Sequence, residues 1–193
     1  MDTHYGLFHP SWMMLIKPVW SNDRSAKLNS NYIKKYKYNG ARSMVLMHEQ
    51  YLKSLLQTWR EAKRIGLALP ETDDEDYQSL DTLLKHIFRS ARGYMVWMCD
   101  KLNLPDPDIK AAPETDLIES EANEYLAHLL EKWRVPLSEI AEEKFYSPAY
   151  ISRWGVEYCI DAMLEHAVMH PIRHEFQLKT LMTINQNKSE SIK

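Results

Sequence analysis

Three histidines recur at intervals of four residues near the C-terminal end of the sequence: His166, His170 and His174. Residues four apart lie one turn apart on the same face of a helix, so a helix would align the three imidazoles. Neutral imidazole nitrogens bind divalent transition metals, and two of them on one helix can point at a single ion. Because two such ligands do not complete a site, the pattern predicts at least one further ligand from elsewhere in the chain.

His86 is the best partner for these histidines. It borders the apolar stripe of an amphipathic segment, and Ser90, Gly93 and Trp97 continue its row at helical spacing. Several histidines in a core would each need a hydrogen-bond partner or would cost several kcal/mol. A metal ion would satisfy them together, whereas the competing interpretation is a plain helical bundle with hydrogen-bonded core histidines.

The composition is that of a globular helical protein. The chain has 193 residues, 45% of them hydrophobic and 26% charged, with five glycines, which favours one domain and helix over strand. The net charge of -3 gives no electrostatic reason to expect a nucleic-acid or membrane partner. No apolar run approaches the length of about 18 residues that spans a bilayer, and no signal peptide is recognised, so a cytoplasmic location is expected. Cys99 and Cys159 are expected to be buried free thiols.

Hydrophobic periodicity predicts four long helices, at about residues 41–65, 80–102, 116–134 and 147–185. Ser79 and Thr115 are the expected N-caps of the second and third helices, and Ser147-Pro148 is a strong start signal for the last. Pro171 removes one backbone hydrogen bond and is expected to kink or break that last helix.

The predicted domain organisation has three parts. Residues 1–40 form an N-terminal extension packed on the bundle, residues 41–185 form the bundle, and residues 186–193 form a flexible tail. Residues 67–78, which include the acidic run 70–76, are interpreted as a solvated connector. His48, at the border of an apolar face, is expected to be a core or rim side chain.

Two segments resemble a known family. The motif His170-Pro-Ile-Arg-His174-Glu-Phe-Gln177-Leu178 is similar to the C-terminal His-x-x-x-His-x-x-Gln-Leu motif of the DinB/YfiT-like family. The segment Ser79-Leu-Asp-Thr-Leu-Leu-Lys-His86 resembles that family's second-helix segment, and the order of elements agrees over about residues 41–183. The resemblance implies an all-α fold, a DinB-like four-helix bundle with an N-terminal extension.

The resemblance to the DinB/YfiT-like family also implies a metal site. By position, His86, His170 and His174 would bind one divalent ion and leave coordination positions open for water or substrate. Three neutral imidazoles suit Zn²⁺, Ni²⁺ or Fe²⁺, and the ligand set does not decide among them.

Five further residues are candidates for the surroundings of that site. The resemblance puts His166 beside the ligands or in the pocket wall, and Gln177 in support one turn below the last ligand. Arg173 is a candidate for binding an acidic substrate group, and Ser90 and Trp97 are candidates for lining the pocket. No residue is assigned as catalytic.

The implied function is that of a DinB-like metal-dependent enzyme, either a transferase or a hydrolase acting on a small molecule. A low-molecular-weight thiol is a candidate co-substrate, since several members of that family use one at the metal. The alternative is a non-catalytic metal-binding or stress-response protein with a structural or vestigial site. A flat apolar helix face also makes a homodimer a reasonable expectation.

Overall fold

The computed structural model describes residues 35–190 of the chain. Four long helices, a one-turn helix, a 3-10 turn and a two-stranded hairpin follow one another there: α1 (Asn39–Arg64), the 3-10 turn (Glu75–Tyr77), α2 (Leu80–Lys101), α3 (Ile118–Trp133), α4 (Glu143–Tyr146), β1 (Tyr150–Ile151), β2 (Glu157–Tyr158) and α5 (Ile160–Glu190). The all-α prediction is confirmed, with the small hairpin as an addition. The predicted packing of residues 1–34 lies outside the described residues.

The core lies between the four long helices. Helix α1 packs against α2, α3 and α5, and α2 also contacts α3 and α5. Two fully buried tryptophans anchor this core, and each finds a backbone partner for its indole N–H: Trp59 donates to the carbonyl of Leu80 at 2.6 Å, and Trp133 to that of Ala91 at 3.1 Å. Burying so much apolar surface while satisfying the indole N–H is what makes tryptophan a favourable core residue.

Helix α2 begins where the sequence predicts. The Ser79 hydroxyl accepts a hydrogen bond from the backbone N–H of Thr82 at 3.0 Å, and the Thr82 hydroxyl accepts one from the backbone N–H of Ser79 at 2.9 Å. This reciprocal capping box satisfies two backbone donors at the helix start. It fixes the register of α2 and therefore the position of His86 on it.

Helix α3 begins later than predicted. Its first residue is Ile118, and Leu117 precedes it without a side-chain cap, so the assignment of Thr115 as N-cap was wrong. The N–H of Leu117 donates to the carbonyl of Glu114 at 3.0 Å, which closes a turn before the helix begins. Ile118 is fully buried, so core packing and not capping sets this helix start.

The last helix also begins later than predicted, at Ile160 instead of Ser147-Pro148. The intervening residues 150–158 form the antiparallel β1–β2 hairpin, with Tyr150 opposite Tyr158. Hydrogen bonds between the two strands pair backbone groups that a helix would have paired within itself. The helix-like spacing of apolar residues in this stretch therefore does not reflect a helix.

Local chemistry in the hairpin turn explains the difference. Gly155 has a φ of 81°, a left-handed value that glycine adopts without steric cost. The Ser152 N–H donates to the carbonyl of Val156 at 2.8 Å, and the buried Ser152 hydroxyl accepts from the Val156 N–H at 3.1 Å. Beyond the hairpin, Cys159 precedes α5, and its Sγ accepts from the N–H of Ala162 at 3.4 Å.

Helix α5 runs without a break from Ile160 to Glu190 and contains Pro171 in its interior. Of the kink or break predicted at this proline, the break is wrong. One missing hydrogen bond is outweighed by packing, because α5 contacts both α1 and α2. The helix also extends through the stretch from Asn185 where the sequence predicts fraying.

Two smaller expectations concern the cysteines and the membrane. Cys99 and Cys159 are both free, the first buried and the second half-buried. Among the helices of residues 35–190, none combines the length and the apolar character that crossing a bilayer requires.

Candidate metal centre

The structure brings His86 of α2 together with His170 and His174 of α5. Nε2 of His170 lies 3.1 Å from Nε2 of His86 and 3.3 Å from Nε2 of His174. One ligand atom from each residue lies within 4.8 Å of the others, so the three form a group that could hold a metal ion. The uninterrupted helix through Pro171 is what keeps the two α5 histidines one turn apart on the same face.

Asp76 orients the His86 ring. Its Oδ2 accepts a hydrogen bond from Nδ1 of His86 at 2.9 Å and also pairs with Nη2 of Arg89 at 2.6 Å. The 3-10 turn holds this carboxylate in place, because the backbone N–H of Asp76 donates to Oδ1 of Asp74 at 3.0 Å. A carboxylate behind a metal-binding histidine fixes its tautomer and directs the other nitrogen toward the ion.

Gln177 orients the His174 ring. Its Oε1 accepts from Nδ1 of His174 at 3.0 Å. With protons on both Nδ1 atoms, Nε2 of His86 and Nε2 of His174 each present a lone pair to the centre of the group. These are the atoms and the protonation states that metal coordination needs.

The three Nε2 atoms cannot satisfy one another with protons alone. A neutral His170 carries one N–H, which can donate to only one of its two neighbours. The lone pair of the other neighbour is then left without a donor within the group, and a cation at the centre would satisfy it. Nitrogens about 2.0–2.1 Å from a tetrahedral ion lie roughly 3.3 Å apart, close to the separations found here.

The burial of His170 and His174 keeps these two imidazoles neutral. Each of these two side chains is 6% exposed. Burial, reinforced by the neighbouring histidines, lowers the pKa of His170 to about 2, and burial followed by His86 lowers the pKa of His174 to about 4. Near neutral pH no proton has to be displaced from either imidazole before an ion binds.

A cavity of about 560 Å³ opens beside the three histidines, between α2, α5 and the hairpin. His86 and His170 form part of its wall, and aromatic side chains form much of the remainder: Tyr77, Tyr94, Trp97 and Trp154. Its size is in the range of small-molecule sites. An ion held by the histidines would therefore be reachable from the cavity.

The five predicted neighbours of the site fall into two positions. His166, Ser90, Trp97 and Arg173 line the cavity, whereas Gln177 contacts His174 and lines a separate groove. The His166 ring stacks on Trp154, with centroids 5.5 Å apart, and its Nδ1 lies 3.5 Å from the Tyr158 hydroxyl. Burial, followed by the charge of Arg173, lowers the pKa of His166.

Sequence reasoning missed two residues at this site, Asp76 and Arg153, and interpreted Trp154 as a core residue of the last helix that could line a pocket. Asp76 was interpreted as part of a solvated connector, although a carboxylate in the turn before a histidine helix is a recognisable signal. Arg153 and Trp154 reach the cavity from the hairpin turn, in a stretch predicted to be helical. No signal marked Arg153, since its placement depends on a turn between two short strands.

Comparisons with protein-family models, curated proteins and solved structures found no match to this chain. The DinB-like resemblance therefore stays a prediction.

Proposed function

We propose that this protein is a DinB-like metal-dependent enzyme, a transferase or hydrolase that acts on a small molecule. The observation that carries the proposal is the convergence of three imidazole Nε2 atoms at the wall of a cavity large enough for a substrate. A purely structural metal site is usually closed by four protein ligands, whereas catalytic sites keep a position open. Here His/Cys/Asp/Glu side chains within residues 35–190 supply three ligands.

The ion we propose is Zn²⁺, Ni²⁺ or Fe²⁺, since three imidazoles and solvent suit each of them. Held by His86, His170 and His174, such an ion supplies Lewis acidity toward water or a small thiol. The side chains around it have separate tasks. Asp76 and Gln177 hold two of the rings in place, and the aromatic walls exclude water from the bound substrate.

His166 is the proposed proton acceptor. Its imidazole lines the cavity on the same helix face as the ligands, four residues before His170, and its lowered pKa keeps it neutral near pH 7. A neutral imidazole within reach of a bound substrate can take a proton from it during reaction. The nearby Tyr158 hydroxyl, 3.5 Å away, can help to orient this ring.

Metal analysis of protein purified without a histidine tag tests the site. We expect one divalent ion per chain in the wild type and its loss in His86→Ala and His170→Ala. His128→Ala is the matched control, because His128 is a half-buried histidine of α3 that accepts only a backbone N–H, from Lys110 at 3.0 Å. A metal-free wild type, or equal metal in all variants, would refute the site.

Activity is tested by incubating the metal-loaded protein with small thiols and electrophiles, and separately with simple esters and amides. We expect turnover that is lost on chelation and returns when the metal is restored. Binding of a thiol to cobalt-substituted protein should also change its visible spectrum. A loaded protein that turns nothing over and exchanges no ligand would support the non-catalytic alternative.

A further inference from the structure

The cavity beside the three histidines carries an excess of positive charge. Arg89, Arg153 and Arg173 line it, and the part of the chain that the structure describes contributes no aspartate or glutamate to its lining. The charge of Arg89 is offset by Asp76, with which it pairs at 2.6 Å. A divalent ion at the histidines would add further positive charge, so the field in this cavity favours an anion.

Two of these arginines keep their donors available. Within residues 35–190, neither Arg153 nor Arg173 makes a hydrogen bond or an ion pair, whereas Arg92 of α2 is engaged with the carbonyl of Ile109 at 2.8 Å. Arg153 reaches the cavity from the hairpin turn and Arg173 from α5. Guanidinium groups on separate elements around one cavity can bind the oxygens of a single carboxylate or phosphate.

The aromatic wall next to these arginines defines the rest of the ligand. Trp154, adjacent to Arg153 in the turn, remains 48% exposed even though one face of its indole stacks on His166. The Tyr94 ring meets Trp154 edge-on, with centroids 6.4 Å apart. An aromatic ring bound against this surface would bury apolar area that is now in water.

We propose that this cavity binds a small aromatic acid, whose oxyanion is held by Arg153 and Arg173 and whose ring packs against Trp154. The proposal rests on the proposed function, because the same cavity borders the three histidines. It adds the substrate class: an aromatic body that carries a carboxylate or a phosphate. The two arginines are binding residues here, and the histidines mark the end of the cavity where the reacting group would lie.

The test is calorimetric titration of metal-loaded protein with phenylacetate, phenyl phosphate and the neutral benzyl alcohol. We expect one acidic probe to bind at least about tenfold more tightly than benzyl alcohol, and this margin to shrink as salt is added. Whichever of the two acids binds more tightly shows whether the cavity prefers a carboxylate or a phosphate. Equal binding of the acids and the alcohol would overturn the proposal.

Arginine variants locate the binding. Arg153→Met and Arg173→Met should each weaken the acidic probe about tenfold, and Arg153→Lys should recover part of the loss because it restores charge without the guanidinium fork. The matched control is Arg64→Met, which removes an exposed arginine of α1 that pairs with Glu61. If both cavity variants bind the acidic probe as tightly as Arg64→Met does, the anion binds elsewhere and the proposal is overturned.

Metal content measured on the same samples separates this inference from the proposed function. A wild type with one ion per chain but arginine-independent probe binding would overturn the aromatic-acid site alone. A metal-free wild type that still binds the acid in an arginine-dependent way would refute the metalloenzyme and support the anion site. Trp154→Ala gives an independent check, since it should weaken the acidic probes while leaving metal content unchanged.

Discussion

Replacing Asp76 by asparagine tests whether the carboxylate behind His86 contributes to metal binding. Asp76→Asn keeps the size of the side chain and removes its charge. In the wild type, Oδ2 accepts from Nδ1 of His86 at 2.9 Å, and the two carboxylate oxygens receive Arg89 at 2.9 and 2.6 Å. The substitution therefore weakens the bond that fixes the His86 tautomer, and it leaves the Arg89 charge unpaired beside a cationic centre.

The expected size of the effect follows from this geometry. Loss of such an outer partner typically costs 10- to 100-fold in metal affinity. The Asp76 side chain is 31% exposed, and asparagine still offers an oxygen acceptor, so we expect the lower end of that range. About tenfold weaker binding corresponds to about 1.4 kcal/mol.

Zinc affinity measured by competition with a chromophoric chelator is the assay. Asp73→Asn is the matched control, because it removes the same charge from an exposed position three residues away. Combining Asp76→Asn with Arg89→Met separates the lost hydrogen bond from the unpaired arginine. Equal zinc affinity in the Asp76 and Asp73 variants would refute the role assigned to this carboxylate.

Three further predictions concern stability and the cavity wall. His48 is fully buried on Trp133, neither ring nitrogen has a hydrogen-bond partner among the described residues, and burial lowers its pKa to about 3. His48→Leu should therefore raise the free energy of unfolding at pH 7 by about 1 kcal/mol, measured by urea denaturation. Unfolded His48 takes up a proton below about pH 6.5, whereas folded His48 does so only near pH 3. Between these pH values, the free energy of unfolding of the wild type should therefore fall by up to about 1.4 kcal/mol per pH unit more than that of the variant. Parallel pH profiles of the two proteins would contradict this prediction. Ser79→Ala should cost about 1 kcal/mol in the same assay by removing the capping box of α2, and an unchanged midpoint would show that the cap is dispensable. His166→Phe should keep one metal ion per chain while lowering turnover, and loss of the metal would show instead that His166 supports the ligands.

The sequence predicted much of this architecture, because the signals involved are local. Amphipathic spacing located α1 and α2, and the serine cap placed the start of α2 correctly. The four-residue spacing of His170 and His174 is a property of any helix, so their alignment on one face needed only the continuity of α5. His86 was proposed from its small neighbours and from the family resemblance, and it lies with the other two.

The errors arose where strand pairing, turn geometry or core packing outweighs the usual signals for the start or end of a helix. Ser147-Pro148 has the composition of a helix start, yet strand pairing and the left-handed Gly155 direct the chain into a hairpin. Pro171 predicted a kink or break because the loss of one hydrogen bond is visible in sequence, whereas the packing of α5 on α1 and α2 is not. Thr115 failed as a cap because the burial of Ile118 sets the start of α3.

By itself, the sequence determined the helical class of the protein and the residues able to bind a metal, because periodicity and side-chain chemistry are both local properties. Only the tertiary structure decided how those residues meet. It brought α2 within 3.1 Å of α5 at their histidines, set Asp76 behind His86, and carried Arg153 and Trp154 to the cavity on a hairpin. The meeting of α2 and α5 depends on contacts between residues far apart in the chain, and such contacts form only when the whole core packs.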